Sequence, residues 1–356
     1  MATAYRESAN DSRTPLFANF GPRLRARLNR YAAPMSTPRG FTLDTNYLEI
    51  PGTASAYLIF GPSAPVLIEC GCAVAYDKLC AQLDEHGVRP SDLAGIFVTH
   101  IHLDHAGSAG HFAREGVPVF VHPRGARHLI DPARLIAGSR AVHGARYDRH
   151  YGDPLPIAPD LVRAIDDGAT VSCGGLRWSA IETLGHARHH HAWTLSHERS
   201  DAAVDRVFVG DVLGMISPGS SHISIPVPPS DIDIPAWRTS LARLRALPMG
   251  INAVLTHGGS VPLHAHLQAF TARMNEELPL LAELVETAKS DQAKSDQATS
   301  DQLAADVRYR DFLLPRAKAA GLSDALAALL LGKSFRAMNL AGIADSIAHG
   351  RFAKSL

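Results

Sequence analysis

Thr99-His100-Ile101-His102-Leu103-Asp104-His105 sets three histidines and a carboxylate within six residues, behind the apolar run Leu93 to Val98 and ahead of Ala106-Gly107. Ile96-Phe97-Val98 reads as a buried strand, and a strand end delivers side chains to a fixed point. His100 and His102 stand two apart, so in extended backbone they lie on one side. Imidazole is the commonest ligand of zinc-like ions, and carboxylate oxygen is an accepted partner. Asp104 and His105 are placed to turn toward a second ion beside the first. The 19 histidines among 356 residues are the compositional anomaly, and metal binding is the leading explanation.

The string resembles the signature of the metallo-β-lactamase-fold hydrolases, the superfamily of glyoxalase II, the acyl-homoserine-lactone lactonases and RNase Z. The resemblance covers roughly residues 41 to 260 and points to the glyoxalase II and lactonase-like branch. It implies an α/β fold, a four-layer αβ/βα sandwich with metals at the strand ends, followed here by a C-terminal helical extension. It also carries ligands over. Thr183-Leu184-Gly185-His186 resembles the family's Thr-Pro-Gly-His segment, with Leu184 in place of proline. Asp211 ends the strand Val207 to Val209, where the family has a carboxylate that bridges two metals. His257, after Ala253 to Leu255 and before paired glycines, matches the final ligand. The implied set is His100, His102 and His186 on one metal, Asp104, His105 and His257 on the other, and Asp211 between them. Two zinc ions per chain are expected, with iron or manganese as alternatives. Asp104 is the expected catalytic residue, orienting the attacking hydroxide or passing a proton. Glu69 stands where the family carries an aspartate that supports the site, and its side chain is one methylene longer. His189, His190 and His191 have no fixed role in the family.

Lysine plus arginine equals aspartate plus glutamate, 35 each, which gives no reason to expect a polyanionic partner or a membrane surface. A small-molecule substrate is expected, with neither nucleic acid nor membrane as partner, and a homodimer is allowed. The four cysteines, Cys70, Cys72, Cys80 and Cys173, read as small buried hydrophobes in a reducing compartment. The polar start lacks a secretory core and no apolar run approaches a span, so a cytoplasmic protein is expected.

Three regions follow from texture. Residues 1–40 form an arm with a short basic patch at Arg23, Arg25, Arg27 and Arg30; 41–260 is the catalytic domain; 261–356 is a helical extension. Tyr47 to Ile50, Ala56 to Phe60 and Val66 to Ile68 read as three strands. Residues 74–86 read as a helix with Ala75, Leu79 and Leu83 on one face. Residues 124–160 read as irregular, broken by Pro132, Gly138, Gly144, Gly152 and Pro154, and the part from His143 to Tyr151 is expected to border the metal site. His122 reads as a packing residue. Ile234 to Leu247 reads as a helix, and Ala253 to Leu255 as the last strand. The polar repeat at 288–302 reads as a solvated linker or frayed helix extension.

The functional expectation is a dinuclear hydrolase that uses a metal-bound hydroxide on an ester, thioester or lactone. A mononuclear iron oxidoreductase of the persulfide dioxygenase kind is the alternative, followed by a phosphodiesterase or nuclease. A true β-lactamase of this fold is exported and lacks an aspartate at the bridging position, so Asp211 and the polar start count against it.

Overall fold

In the computed structural model, two six-stranded sheets face each other. The structure describes residues 38–197, 204–292 and 298–352. The arginine patch at Arg23 to Arg30 lies outside them.

The first sheet runs in chain order: β1 (Arg39–Asp44), β2 (Ser55–Phe60), β3 (Pro65–Ile68), β4 (Ile96–Phe97), β5 (Val119–Val121) and β6 (Val162–Ala164). The first three strands are antiparallel neighbours, and β3 through β6 are parallel. The second sheet uses β7 (Thr170–Cys173), β8 (Leu176–Glu182), β9 (His191–His197) and β10 (Arg206–Gly210). A hairpin of β11 (Met215–Ile216) and β12 (Ile223–Ser224) follows. β13 (Asn252–Leu255) and β14 (Gly259–Pro262) then complete the second sheet in the order β14-β13-β10-β9-β8-β7.

Side chains alternate across each strand. Tyr57, Ile59, Val66 and Ile68 face inward, onto Trp178, Trp193, Phe208 and Val254 of the other sheet. Phe97 is the pivot of this inner layer, stacked on Phe120 and Trp178 at 4.3 and 4.7 Å and edge-on to Trp193 at 4.9 Å. The intervening residues Ala56, Leu58 and Leu67 face outward, under a helical layer. That layer holds α1 (Tyr76–Glu85), α2 (Leu103–Ala106), α3 (Ala109–Arg114), α4 (Pro123–Ile130), α5 (Ala133–His143) and α6 (Tyr147–His150). On the far side, Val207, Val209, Ala253 and Leu255 pack under α7 (Ile234–Arg245). The long helix α8 (Leu263–Gln292), α9 (Ala298–Ala319), α10 (Asp324–Leu330) and α11 (Lys333–Ala348) join the same core. Strands covered on both faces read as near-continuous apolar runs, as β2, β3, β10 and β13 do, whereas β1, β7 and β8 alternate with more exposed residues.

Four readings of the sequence need correction. Tyr47 to Ile50 is a single 3-10 turn, because Asn46, Leu48 and Glu49 take positive φ of 55°, 57° and 61°. Asp44 stops the strand before it by accepting the amides of Asn46 and Gly52 at 2.8 and 3.3 Å. The sheet therefore starts earlier, at Arg39, inside the expected arm. Residues 124–160 are largely helical as far as His150: Gly138 sits inside α5, and only Gly152 and Pro154 fall in the loop that follows α6. Pro123 occupies the first turn of α4, Pro132 precedes α5, and Gly144 ends α5 at φ 55°. Ala253 to Leu255 is not the last strand: the paired glycines turn the chain back into β14. The Leu93 to Val98 run keeps only Ile96–Phe97 in the ladder. The polar repeat supplies the end of α8 and the start of α9, with residues 293–297 outside the description.

Among the described residues no single helix is long and apolar enough to cross a membrane. The apolar faces of α10 and α11 enter the core through Ala327, Leu331 and Ile343. Cys70, Cys72 and Cys173 are buried, Cys80 is half-buried, and all four are unbridged.

A Cβ on Gly342 of α11 would stand 1.9 Å from the Val227 carbonyl oxygen. Glycine to alanine in a helix interior ordinarily stabilises by about 1 kcal/mol. Here Gly342→Ala is expected to destabilise by about 1–3 kcal/mol through overpacking. Chemical denaturation reads the sign, and a more stable variant would refute the close approach of α11.

Candidate metal centre

Every segment named by the histidine pattern ends at one edge of the sandwich. Strand β4 runs into Thr99 and His100, and the chain then enters α2 with Asp104 and His105. His186 sits in the β8–β9 connection, Asp211 follows β10, and His257 follows β13. Two backbone positions are reserved for this convergence. Gly185 has φ 130°, and a Cβ there would lie 2.3 Å from Trp237; Gly210 has φ 50° and would collide with Thr99.

The structure brings all seven expected residues together, in three overlapping groups: His100, His102 and His186; His100, His105 and Asp211; Asp104, His105 and His257. In the first group, His102 Nδ1 lies 2.8 Å from His100 Nε2 and 3.0 Å from His186 Nε2. Asp211 joins it through Oδ2, 3.4 Å from His186 Nε2. Its other oxygen, Oδ1, turns the opposite way, 3.3 Å from His105 Nε2 and 3.6 Å from His257 Nε2. Asp104 Oδ2 completes that side, 3.3 Å from His257 Nε2 and 3.9 Å from His105 Nε2.

These separations test whether an ion fits. Bonds of about 2.0–2.1 Å around a tetrahedral ion place neighbouring ligand atoms about 3.3–3.4 Å apart. The observed spacings fall around that edge length. In addition, His105 Nε2, His257 Nε2 and Asp211 Oδ1 are buried without hydrogen-bond partners. Unpaired buried polar atoms cost free energy, and aligned on one point they describe a cation's ligands.

The far ring nitrogens are pinned. His186 Nδ1–H donates to the Pro226 carbonyl at 3.0 Å, and His257 Nδ1–H to that of Thr53 at 2.6 Å. His105 Nδ1 meets Glu69 Oε1 at 3.1 Å. Thr99 Oγ1 donates to Glu69, which leaves it to accept from His100 Nδ1 at 3.1 Å. Each contact fixes a tautomer whose Nε2 lone pair faces the centre.

Glu69 does this work despite its extra methylene. It is 1% exposed, takes φ 58°, and also accepts from the Thr99 amide at 3.2 Å and Thr256 Oγ1 at 3.2 Å. The electrostatics split the cluster. Burial lowers His100, and it pushes His102 down to about 3, so these imidazoles stay neutral and free to ligate. Burial also disfavours charge on His105 and His257, but the carboxylates of Asp211 and Asp104 outweigh it and raise both. Burial works to raise Asp104 and Asp211, and the facing histidines, His105 foremost, hold both below the usual carboxylate range. The second side of the cluster therefore favours positive charge.

Of the neighbouring histidines, His190 supports the site: its Nδ1 meets Thr183 Oγ1 at 2.8 Å and its Nε2 accepts the Asp211 amide at 3.3 Å. His191 is buried against His122, ring centres 4.5 Å apart. His122 caps α4 by accepting the Arg124 amide and pairs with Glu182 at 2.9 Å, as a packing residue would. Above the centre opens a cavity of about 1750 Å³. His143, Arg146, His150 and Tyr151 border it, as expected for that segment, from the end of α5, the 3-10 turn after it and the end of α6. Tyr47 was missed as a site residue. Its hydroxyl bonds that of Tyr151 at 2.8 Å, and its ring lies 5.8 Å from the His257 ring. No periodicity marks it; only the aromatic beside an asparagine turn hints at it.

Glu69→Ala is expected to lower metal affinity by about 10- to 100-fold, because His105 loses the partner that aims it. Competition with a chromogenic chelator measures this, and unchanged affinity would remove Glu69 from the site's support.

The sequence profile described as the metallo-beta-lactamase superfamily matches residues 50–257. A metallo-beta-lactamase fold-containing protein of Sulfurisphaera tokodaii is 26% identical over 246 residues, 67% of this chain and 85% of that protein. Among solved structures, a metallo-beta-lactamase family protein from Thermus thermophilus aligns with a TM-score of 0.59 at 20% identity, covering 89% of this chain and 95% of its own. The archaeal structure from Sulfolobus tokodaii aligns with a TM-score of 0.52 at 22% identity, over 66% of this chain and 86% of its own. With two facing sheets, helices outside both and a histidine and aspartate cluster at their edge, this chain belongs to the metallo-β-lactamase superfamily.

Proposed function

We propose that this chain is a dinuclear metal-dependent hydrolase acting on an ester, thioester or lactone. The observation that carries the reading is Asp211, whose two oxygens face two different groups of ligand atoms. A carboxylate so placed could serve two cations at once, one through each oxygen. His100, His102 and His186 would hold one, Asp104, His105 and His257 the other, and zinc suits that nitrogen and oxygen set, with iron or manganese acceptable. When bound, such ions supply a water activated near neutral pH and a Lewis acid for the substrate carbonyl.

The chain's own groups do the rest. Asp104 is half-buried and lines the cavity, so it can take a proton and hand it to the leaving group. Burial raises the Tyr47 and Tyr151 hydroxyls, keeping both protonated. Whichever donates to the other, the second keeps a proton to give a substrate oxygen. A mononuclear oxidase would leave the group Asp104, His105 and His257 without a task. A nuclease would need a basic surface that tracks a long polyanion, whereas the arginines here line one side of a cavity whose other side is apolar along α10 and α11.

The expected metal content is two ions per chain by elemental analysis. Asp211→Ala removes the carboxylate whose two oxygens face both sides of the cluster, and with it the charge that would offset two neighbouring dications. It is expected to lose one ion and its activity together. Asp104→Asn is nearly isosteric, so it should keep more metal while kcat falls by about 100-fold or more. Two tightly held ions and near-normal turnover in Asp211→Ala would end the bridging assignment.

A further inference from the structure

The cavity has two chemically different walls. One is cationic. Arg124 and Arg127 on α4, Arg134 on α5, Arg146 in the turn after it, and Arg188 beside His189 all line the cavity and are exposed. Among the described residues, no ion pair engages Arg124, Arg127, Arg134 or Arg146; Arg188 lies 3.6 Å from Asp231. Apart from Asp104 and Asp211, the lining carboxylates are Asp231 and Asp233, and Asp233 caps α7 by accepting the Ala236 amide. In a chain with 35 basic and 35 acidic side chains, this is a local excess of positive charge.

The opposite wall is apolar. Leu330, Phe335, Met338 and Ala341 of α10 and α11 face the cavity, with Pro228 and Pro229. Two of the few large hydrophobics left exposed also line the cavity: Leu329 of α10 at 65%, and Val142 of α5, on the arginine side, at 48%. Exposed apolar side chains gathered around a polar centre mark a binding surface. The volume of about 1750 Å³ exceeds the several hundred Å³ that a compact small molecule fills.

We infer that the cavity takes an extended amphiphile, an acyl ester or thioester whose alcohol or thiol half carries phosphate or carboxylate. The acyl chain lies along α10 and α11, the anionic group lies on the arginines of α4 and α5, and the carbonyl lies between them over the metal centre. This rests on the hydrolase reading for its chemistry. Water adds at the acyl carbon, the C–S or C–O bond breaks, and the bonding pair leaves with sulfur or oxygen. The products are a carboxylate, a thiol or alcohol, and one proton, with no redox partner required.

The test compares octanoyl-coenzyme A, octanoyl-glutathione and neutral octanoyl-N-acetylcysteamine on the metal-loaded full chain. All three share one acyl group, so kcat/KM isolates the other half, and the first two separate phosphate from carboxylate. The anionic thioesters should be preferred by about tenfold or more at low salt, with the preference shrinking as ionic strength screens it. Exposed charge pairs contribute up to about fivefold each, so the Arg127→Gln, Arg134→Gln double variant should cut the anionic-to-neutral ratio by about tenfold. Arg163→Gln, on the exposed part of β6, should leave that ratio unchanged. Calorimetric titration with free coenzyme A supplies a readout independent of turnover. Equal kcat/KM for charged and neutral thioesters, unaffected by salt or by the double variant, would overturn the inference and leave the hydrolase reading intact. Salt-sensitive coenzyme A binding with no hydrolysis of any thioester, nor of the matching octanoyl esters and lactone, would overturn the hydrolase reading and leave the anion wall standing. A single-stranded oligonucleotide that binds more tightly than coenzyme A and displaces it would overturn the small amphiphile in favour of a nucleic acid.

Discussion

Crowding imidazole nitrogens and two carboxylates within hydrogen-bond distance of one another, out of water, is the constraint on which this molecule turns. Desolvating such groups costs several kcal/mol apiece unless each meets a partner. The protein supplies partners for the outer atoms and leaves the inner ones aimed at a common point. His186, His257, His105 and His100 each spend one ring nitrogen on an acceptor outside the cluster. The remaining cost is borne by the sandwich, whose buried layers hold the strand ends still.

Glu69 joins those two halves of the problem. It ends β3 in the first sheet, yet it accepts from Thr256, which follows β13 in the second. Through Thr99 it also fixes the residue that precedes His100. Further bonds cross the gap nearby: the His191 amide donates to the Thr99 carbonyl at 2.7 Å, and Trp193 Nε1 donates to that of Val98 at 2.9 Å. The Ser55 amide reaches the Thr256 carbonyl at 2.9 Å. Two separate sheets are thus stitched along the one edge where ligands from both must meet. An aspartate at position 69 would be a methylene too short to make these contacts from the same backbone.

What was legible in the sequence follows from this arrangement. Ligands that ride on strand ends come with apolar runs before them, and glycines beside them mark tight turns. His100 through His105, His186, Asp211 and His257 all carry those marks, so the candidate cluster could be named from residues alone. The region after His122 misled because proline can open a helix and glycine can end one or sit inside it, as Pro123, Gly144 and Gly138 do. Tyr47 misled for another reason: an alternating pattern cannot reveal that Asn46, Leu48 and Glu49 take left-handed backbone. The role of Glu69 needed coordinates, since its four contacts come from segments up to 187 residues away.

The C-terminal helices reach the ligands through a short path. Asn339 on α11 accepts the Val227 amide at 3.1 Å and donates to the Ile225 carbonyl at 3.0 Å. Tyr309 on α9 stands behind it at 2.9 Å and donates in turn to Glu277 on α8. Burial raises Glu277, while Arg273 at 2.8 Å pulls the other way. Between Ile225 and Val227 lies Pro226, whose carbonyl anchors His186. The same helix that forms the apolar wall of the cavity therefore holds the loop that aims a ligand histidine. A shift of α11 cannot reshape the apolar side of the cavity without moving Pro226, and with it the direction of the His186 lone pair. Substrate fit and ligand geometry are coupled here through one loop, which gives a physical reason for so polar a network to be buried among helices far from the metal centre.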